Sequence, residues 1–194
     1  KPSEKTPLRS IASVKLAEKV CRECGVNPAV FSLVIGDGPV LGELLAHDAR
    51  VPLVSATGST RMGRRVAEVV AKRFGRSLLE LGGNNAIIVT PSADLELAKR
   101  AILFGAVGTA GQRCTTTRRL IVHESIRKKF TAALVAAYKS LPVGSPLEAG
   151  NLVGPLIDEA AVEHRQEARA EGRKNGGKIL HGGERRFGLY VTRA

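Results

Sequence analysis

Short apolar runs alternate along most of this chain with segments whose apolar residues recur at helical spacing, and glycines separate many of them. A run of about four to eight apolar residues suits a strand, whereas an apolar residue at every third or fourth position suits a helix. Where strands and helices alternate at this spacing, each helix connects two parallel strands. The pattern therefore predicts an α/β fold built on a parallel sheet.

The predicted elements follow from these patterns. Strands are expected at 31–35, 52–56, 77–81, 86–89 and 120–123, with short β-like pieces around Ile179 and Tyr190. Helices are expected from Ser10 to a stop at Gly25, at 41–46, from Ser59, from Asp94, at 126–141 and at 158–173. The helix from Ser59 has an apolar stripe that we expect to be buried, formed by Met62, Val66, Val69, Val70 and Phe74. A shift in composition at Gly82-Gly83 predicts a domain boundary.

Composition narrows the class of protein. Hydrophobic residues make up 43% of the 194 residues and charged residues 25%, which is the balance of a globular chain. Uncharged stretches such as 101–112 are shorter than the roughly 18 residues that span a bilayer, so we predict no membrane partner. Position 1 is Lys rather than Met, from which we expect a chain that was processed, trimmed or taken from something longer.

The chain is strongly basic, with 30 Lys and Arg against 18 Asp and Glu and a net charge of +12. Such a charge raises the possibility of a nucleic-acid partner. Aromatic residues make up only 4% and Trp is absent, so stacking platforms for single strands are scarce. We predict no nucleic-acid binding and interpret the basic clusters as solvated helix faces. A basic nucleic-acid-binding module stays open as an alternative.

Three cysteines are an odd number, which suits a reducing compartment and predicts a cytoplasmic protein. Cys21 and Cys24 form a CxxC at the end of a predicted helix, just before Gly25. No second CxxC could complete a zinc site, and we predict no metal. We interpret this pair as structural thiols.

The segment from Thr57 to Gly63, Thr-Gly-Ser-Thr-Arg-Met-Gly, connects a predicted strand to a predicted helix. A glycine-rich turn at a helix N-terminus lets backbone N–H groups approach a phosphate, and the helix dipole favours its negative charge. Ser59 can donate from its hydroxyl and can also act as the N-cap. A capped helix without a ligand needs the same residues, so this motif alone leaves both interpretations open.

The segment from Leu79 to Asn85, Leu-Glu-Leu-Gly-Gly-Asn-Asn, places an acidic side chain in a strand that we expect to be buried. Burying a carboxylate is costly unless it is paired or has a function, such as that of a general base. The alternative is a Glu80 exposed at the end of the strand.

The segment from Gly111 to Thr117, Gly-Gln-Arg-Cys-Thr-Thr-Thr, places Cys114 in a loop flanked by glycine and threonine. This is not the pattern of a buried structural thiol. Backbone N–H groups in such a loop could stabilise a thiolate and hold an oxyanion.

Together and in this order, the three segments resemble the aldehyde dehydrogenase superfamily. The resemblance runs from Lys1-Pro2-Ser3-Glu4 to about Tyr190, and 34 positions separate Glu80 from Cys114, as that family requires. Glu-Leu-Gly-Gly-Asn-Asn and Gly-Gln-Arg-Cys-Thr-Thr-Thr-Arg-Arg-Leu look most like the antiquitin branch, which oxidises α-aminoadipic semialdehyde.

The resemblance implies NAD-dependent oxidation of an aldehyde, in this branch a semialdehyde, to a carboxylic acid. Cys114 would attack the carbonyl to give a thiohemiacetal, and loss of a hydride to NAD would leave a thioester. Glu80 would activate the water that hydrolyses this thioester. The backbone N–H of Cys114 would contribute to the oxyanion hole.

It also implies a set of cofactor-binding residues. Lys1 and Glu4 match positions that bind the adenosine ribose, and Gly58, Ser59 and Gly63 would lie at the pyrophosphate. Leu81 belongs to the same expected set. A carboxylate at Glu4 accepts hydrogen bonds from a ribose 2′-hydroxyl and repels a 2′-phosphate, which predicts NAD rather than NADP.

Residues 1–81 would then be the second half of a Rossmann-like NAD-binding domain, and 82–194 part of an α/β catalytic domain, both incomplete. Family members are more than twice this length and form dimers or tetramers, and the Asn that completes their oxyanion hole would lie before residue 1. We therefore expect the chain alone to be inactive or nearly so. A non-enzymatic nucleotide-binding remnant stays open as an alternative. The last residues, from Val191 to Ala194, depart from the Pro-rich continuation expected after Tyr190.

Overall fold

Two pairs of parallel strands, each connected by a helix, organise the chain in the computed structural model, which describes residues 1–192. The parallel α/β architecture predicted from the alternating pattern is confirmed. By their contacts the residues form two units, one from Lys1 to Leu81 and one from Gly82 onward. Arg193 and Ala194, the end of the divergent terminal segment, lie outside the described residues.

The first unit is built on one parallel strand pair. Its elements are α1 (Pro7–Glu23), α2 (Glu43–His47), β1 (Leu53–Thr57), α3 (Thr60–Lys72) and β2 (Arg76–Glu80), with a 3₁₀ turn at Pro28–Val30 and a π-helical turn at Gly38–Gly42. The register of the pair places Thr57 opposite Glu80, so β1 and β2 end side by side. Ala46, Val69 and Val70 form the buried core, with Val54 and Val66 packed against it.

Two arginines hold α2 and the segment that follows it. The guanidinium of Arg73 donates to the carbonyl oxygens of Ala46 and Val51, both at 2.7 Å. Arg65 forms a two-pronged ion pair with Glu43, with N–O distances of 2.8 and 2.9 Å. These members of the basic clusters therefore make contacts within the fold.

Two predictions for the first unit are wrong. The expected strand at 31–35 is neither strand nor helix, because it finds no strand partner within residues 1–192; Phe31 and Ile35 are 54% and 43% exposed. Phe74 was expected in the buried stripe of α3 but is 98% exposed. The helix ends at Lys72, and Phe74 follows it in the left-handed region (φ 57°), so its side chain leaves the apolar face.

The second unit repeats the strand–helix–strand arrangement. Its elements are β3 (Asn85–Val89), α4 (Leu95–Val107), a 3₁₀ turn at Gly108–Gly111, β4 (Thr117–Val122), α5 (Glu124–Lys139), α6 (Glu159–Lys174), β5 (Arg185–Phe187) and β6 (Tyr190–Val191). Buried residues form two clusters in this unit. One contains Val89, Ile102, Phe130 and Leu134, and the other Val107, Ala110, Val153, Leu156, Val162 and Val191.

The pairing of β3 with β4 is irregular at its first residue. Asn85 lies opposite Thr117, whereas Ala86 lies opposite Arg119, so one residue of β4 is passed over. The expected β-like piece at Ile179 is absent, and the antiparallel β5–β6 pair begins at Arg185 instead. Within residues 1–192, every helix is too short or too polar to cross a membrane.

Candidate active site

The turn between β1 and α3 has the features of a capped helix start. The hydroxyl of Ser59 accepts a hydrogen bond from the Met62 N–H at 3.1 Å, which is the predicted N-cap. The Gly58 N–H donates to the carbonyl oxygen of Glu80 at 3.0 Å, so the turn is fixed to the end of β2. The first turn of α3 carries no acidic residue. A helix N-terminus of this kind attracts an anion.

The two glycines of this turn permit close packing. A Cβ at Gly58 would lie 2.6 Å from Cε of Met62, and a Cβ at Gly63 would lie 2.4 Å from Cδ2 of Leu81. Leu81 therefore packs directly against the first turn of α3. The structure thus brings Gly58, Ser59, Gly63 and Leu81 into one neighbourhood.

Lys1 and Glu4 are also brought together. Nζ of Lys1 lies 3.0 Å from Oε2 of Glu4, and the Lys1 side chain is only 12% exposed. The pKa of the Glu4 carboxyl is lowered, first by a hydrogen bond from its own backbone N–H and then by the Lys1 ammonium. Glu4 is therefore ionised at neutral pH and available to accept hydrogen bonds.

Glu80 is exposed, which corrects the expectation of a buried strand. The sheet of the first unit has two strands, β1 and β2, and four of the five residues of β2 are exposed. The alternative of an exposed Glu80 at the strand end is the one observed. Its carboxylate is therefore accessible to water, while its main chain is held by Gly58.

Cys114 lies in a tight turn just before β4, and it is exposed. The turn is closed twice: the Thr116 N–H donates to the Arg113 carbonyl at 3.2 Å, and the Arg113 N–H donates to the Thr116 hydroxyl at 3.1 Å. Thr116 is buried, with 6% of its surface exposed. The turn therefore has a buried anchor and an exposed thiol.

The chain approaches this turn through three consecutive residues with positive φ, namely Thr109 (50°), Ala110 (56°) and Gly111 (70°). This conformation is unfavourable for residues other than glycine, and such strain is frequent at functional sites. Gln112 fixes the next position: its side-chain oxygen accepts from the Ile157 N–H at 2.9 Å. The glycine of the Gly-Gln-Arg-Cys motif therefore allows the backbone conformation before the turn, and the glutamine anchors the chain there.

Asn85 also contacts this turn, a role that the sequence motifs did not predict. Its Nδ2 donates two hydrogen bonds, to the carbonyl oxygen of Cys114 at 2.6 Å and to that of Thr116 at 3.0 Å. Its only signal in the sequence is that it belongs to the Asn84-Asn85 pair after Gly82-Gly83, and this does not specify a partner. Among residues 1–192 there is no cluster of three His, Cys, Asp or Glu side chains that could bind a metal.

Comparison with known proteins agrees with this set of features. The protein-family model described as "Aldehyde dehydrogenase family" matches residues 1–192. The α-aminoadipic semialdehyde dehydrogenase of Bos taurus is 48% identical over 188 residues, which cover 96% of this chain and 35% of that protein. The chain thus spans about a third of the length of the curated relatives that it matches.

Solved structures show the same relationship. An NAD-dependent aldehyde dehydrogenase from Sinorhizobium meliloti superposes with a TM-score of 0.93 at 37% identity, over 98% of this chain and 38% of that one. The glyceraldehyde-3-phosphate dehydrogenase GapN from Methanocaldococcus jannaschii, complexed with NADP, gives 0.92 at 35% identity, over 98% and 41%. The chain belongs to the aldehyde dehydrogenase family.

Proposed function

We propose that this chain supplies the nucleophile, the general base and part of the cofactor site of an enzyme that oxidises an aldehyde to a carboxylic acid with NAD. The observation that carries the proposal is Cys114, an exposed thiol in a main-chain turn that is held by buried Thr116 and by Asn85. Aldehyde-dependent formation of NADH by the full-length enzyme, and its loss on substitution of Cys114, test the proposal.

In the first half-reaction, the Cys114 thiolate attacks the carbonyl carbon and forms a C–S bond, giving a thiohemiacetal oxyanion. Within residues 1–192 the Cys114 N–H donates to no protein acceptor, so it can donate to this oxyanion. When NAD is bound, it supplies the acceptor for the hydride that leaves the former carbonyl carbon. Cys114 then holds the acyl group as a thioester.

In the second half-reaction, Glu80 accepts a proton from a water molecule that attacks the thioester carbon. The C–S bond breaks, the carboxylic acid leaves and the Cys114 thiolate is regenerated. The accessible carboxylate at the end of β2 supports this role, because it can contact water while the main chain stays fixed.

The residues of the first unit fit a dinucleotide in their chemistry. The N-terminus of α3 lacks acidic residues, and Gly58 and Gly63 leave its first turn without side chains at positions where a Cβ would meet Met62 or Leu81. We propose that Gly58, Ser59 and Gly63 hold the pyrophosphate, with Leu81 beneath α3. The ionised Glu4, paired with Lys1, would accept hydrogen bonds from the ribose.

Replacement of Glu4 by Gln is expected to weaken discrimination against NADP. The neutral amide no longer repels a 2′-phosphate, and Lys1 loses its carboxylate partner and can contact that phosphate. Because hydrogen bonds to charged groups are stronger than those to neutral ones, the ratio of kcat/KM for NAD to that for NADP should fall about 10- to 100-fold. Steady-state kinetics of the full-length enzyme with both cofactors measure this ratio.

Glu18→Gln is the matched control, because Glu18 forms a similar ion pair with Lys15, at 3.1 Å and three residues apart. An unchanged ratio in Glu4→Gln, or the same change in both variants, would remove Glu4 from the ribose site.

We further propose that the substrate is a semialdehyde whose carboxylate is bound by Arg113. The Arg113 guanidinium lies 5.7 Å from the centre of the Phe104 ring, and its Nε donates to the Thr109 hydroxyl at 3.1 Å. These contacts fix the side chain of the residue that directly precedes Cys114 in sequence and leave its terminal nitrogens available for a carboxylate.

Replacement of Arg113 by Met should raise KM for an aldehyde that carries a carboxylate by about 10- to 100-fold, as expected for the loss of a charge-assisted pair. KM for a neutral aldehyde of the same length should stay unchanged, because it makes no such contact. Arg127→Met, which removes an exposed arginine of α5, is the control. A parallel rise for both aldehydes would show that Arg113 has no part in selecting the carboxylate.

The isolated chain is expected to be nearly inactive. It spans about a third of its curated relatives, and each of its parallel sheets has two strands. Loss of one oxyanion-hole donor alone lowers the rate by about 10²- to 10³-fold. NADH formation should therefore be at least that much slower with the isolated chain than with the full-length enzyme at equal molar concentration. Equal turnover by both would contradict this expectation.

Assembly and location stay predictions. A dimer or tetramer of the full-length enzyme would be detected by sedimentation. A reducing, cytoplasmic location is supported by the thiols of Cys21, Cys24 and Cys114, all of which are free.

A further inference from the structure

We propose that Asn85, the first residue of β3, is the positioning residue of the nucleophile: its side-chain amide binds the turn that carries Cys114. This inference rests on the function proposed above. The Asn85 Nδ2 donates to the carbonyl oxygens of Cys114 and Thr116, at 2.6 and 3.0 Å. One amide group thus binds the main chain of the nucleophile itself and the buried residue that closes the turn.

The chemistry of this contact favours asparagine. A side-chain amide has two N–H donors on a single nitrogen, which is what two neighbouring carbonyl acceptors require. Aspartate has the same shape but, when ionised, has no donor, and it would place negative charge against two carbonyl oxygens. Alanine would leave both acceptors without this partner.

The chain directly before Asn85 is also held in place. Nε and Nη2 of Arg119, on β4, donate to the carbonyl oxygen of Asn84 at 3.1 and 2.7 Å. A Cβ at Gly83 would lie 3.0 Å from Oδ1 of Asn85 and 3.4 Å from the Cys114 carbonyl oxygen, so the chain before Asn85 passes close to the turn. The irregular pairing at Asn85 and Ala86 is located where this contact is made.

The Asn85 contact differs from the other hydrogen bonds of the turn. The two bonds between Arg113 and Thr116 lie within the turn and would move with it. Gln112 anchors the chain before the turn. Asn85 is the group that connects the carbonyl of Cys114 to the parallel sheet, and it is separated from Cys114 by 29 positions in sequence.

Removal of the Asn85 amide should lower the rate of aldehyde oxidation. Without the Asn85 amide, the turn keeps its two internal hydrogen bonds and its covalent link to β4 but loses its side-chain contact with β3, so the Cys114 sulfur is held less firmly for attack. A displacement of about 1 Å costs about 100-fold in rate. The residues proposed to hold NAD belong to the first unit, so NAD affinity should stay unchanged.

The test is performed in the full-length enzyme with Asn85→Asp and Asn85→Ala. Asn84→Ala is the matched control, since it removes an exposed neighbouring amide and keeps the backbone carbonyl that Arg119 binds. The expected result is kcat/KM for the aldehyde about 100-fold lower in both Asn85 variants, with an unchanged Kd for NAD. The control should match the parent.

A second readout requires no turnover. Alkylation of each thiol is followed by peptide mass analysis, with exposed Cys24 as the reference and buried Cys21 as a reporter of unfolding. The ratio of Cys114 to Cys24 labelling should fall in the Asn85 variants, while Cys21 stays protected. If the alanine variant does not fold, the aspartate variant, which keeps the volume, provides the comparison.

Unchanged kcat/KM and labelling would overturn the assignment. Labelling of Cys21 together with loss of NAD affinity would also overturn it, because the role of Asn85 would then be structural. The two proposals fail separately. If Cys114→Ala abolishes oxidation and the Asn85 variants have no effect, only the positioning role is wrong; if oxidation survives Cys114→Ala, the proposed function is wrong.

Discussion

Replacement of Cys114 by Ala is expected to abolish aldehyde oxidation by the full-length enzyme, with a loss of about 10⁴- to 10⁶-fold, the range expected when a covalent nucleophile is removed. The loss should be chemical rather than structural. The hydrogen bond that holds this residue uses its carbonyl oxygen, which alanine retains, and the thiol itself is exposed. NAD affinity and the thermal unfolding midpoint should therefore match those of the parent.

Cys24→Ala is the matched control, because Cys24 is also a free and exposed cysteine. This variant should oxidise aldehydes at the parent rate. Cys114→Ser tests the chemistry more finely, since it replaces the thiol by a hydroxyl of similar shape that is a much weaker nucleophile at neutral pH. Substantial turnover by the alanine variant would contradict a mechanism through a thioester.

Local signals predicted the parts of the fold that depend on local chemistry. Ser59, Asp94 and Asp158 were expected to start helices, and each side chain accepts hydrogen bonds from N–H groups of the first turn. These bonds span two or three residues, so a short sequence window contains both partners. The parallel pairing of β1 with β2 and of β3 with β4 also follows from the alternating pattern.

The errors concern properties that depend on distant residues. The run at 31–35 has the composition of a strand, but a strand exists only where another strand pairs with it, and residues 1–192 provide none. Phe74 continues the helical spacing beyond Lys72, where the helix has already ended. The exposure of Glu80 likewise depends on what covers β2, which its own sequence does not specify.

The candidate site shows the same division. Cys114 and Glu80 were identified because their motifs match a family, and the reasons for Gly111 and Gln112 became clear only from the structure. The Asn85 contacts connect residues 29 and 31 positions apart, so no local pattern could predict them. Comparison with relatives establishes the family, and the contacts of Asn85 and Gln112 emerge only from the fold.

Replacement of Glu80 by Gln is expected to separate the two half-reactions. The first turnover should still release NADH, because attack by Cys114 and hydride loss do not use the Glu80 carboxylate. Steady-state turnover should fall by about 10²- to 10⁴-fold, the usual contribution of a general base, because water no longer loses its proton to Glu80. The thioester should accumulate on Cys114 and be detectable as an increase in protein mass.

Glu80→Gln should change the carboxylate without disturbing the fold, because the main chain at Glu80 is held through its carbonyl oxygen. This oxygen accepts from the Gly58 N–H at 3.0 Å. Glu68→Gln, an exposed glutamate of α3, is the control and should turn over like the parent. Hydroxylamine cleaves thioesters without a protein base, so adding it once the thioester has accumulated should release the acyl group as a hydroxamate and return Glu80→Gln to its unmodified mass. If both the NADH burst and steady-state turnover are lost, Glu80 would be needed in a step before the thioester forms. An unchanged steady state would show that a different group activates the water.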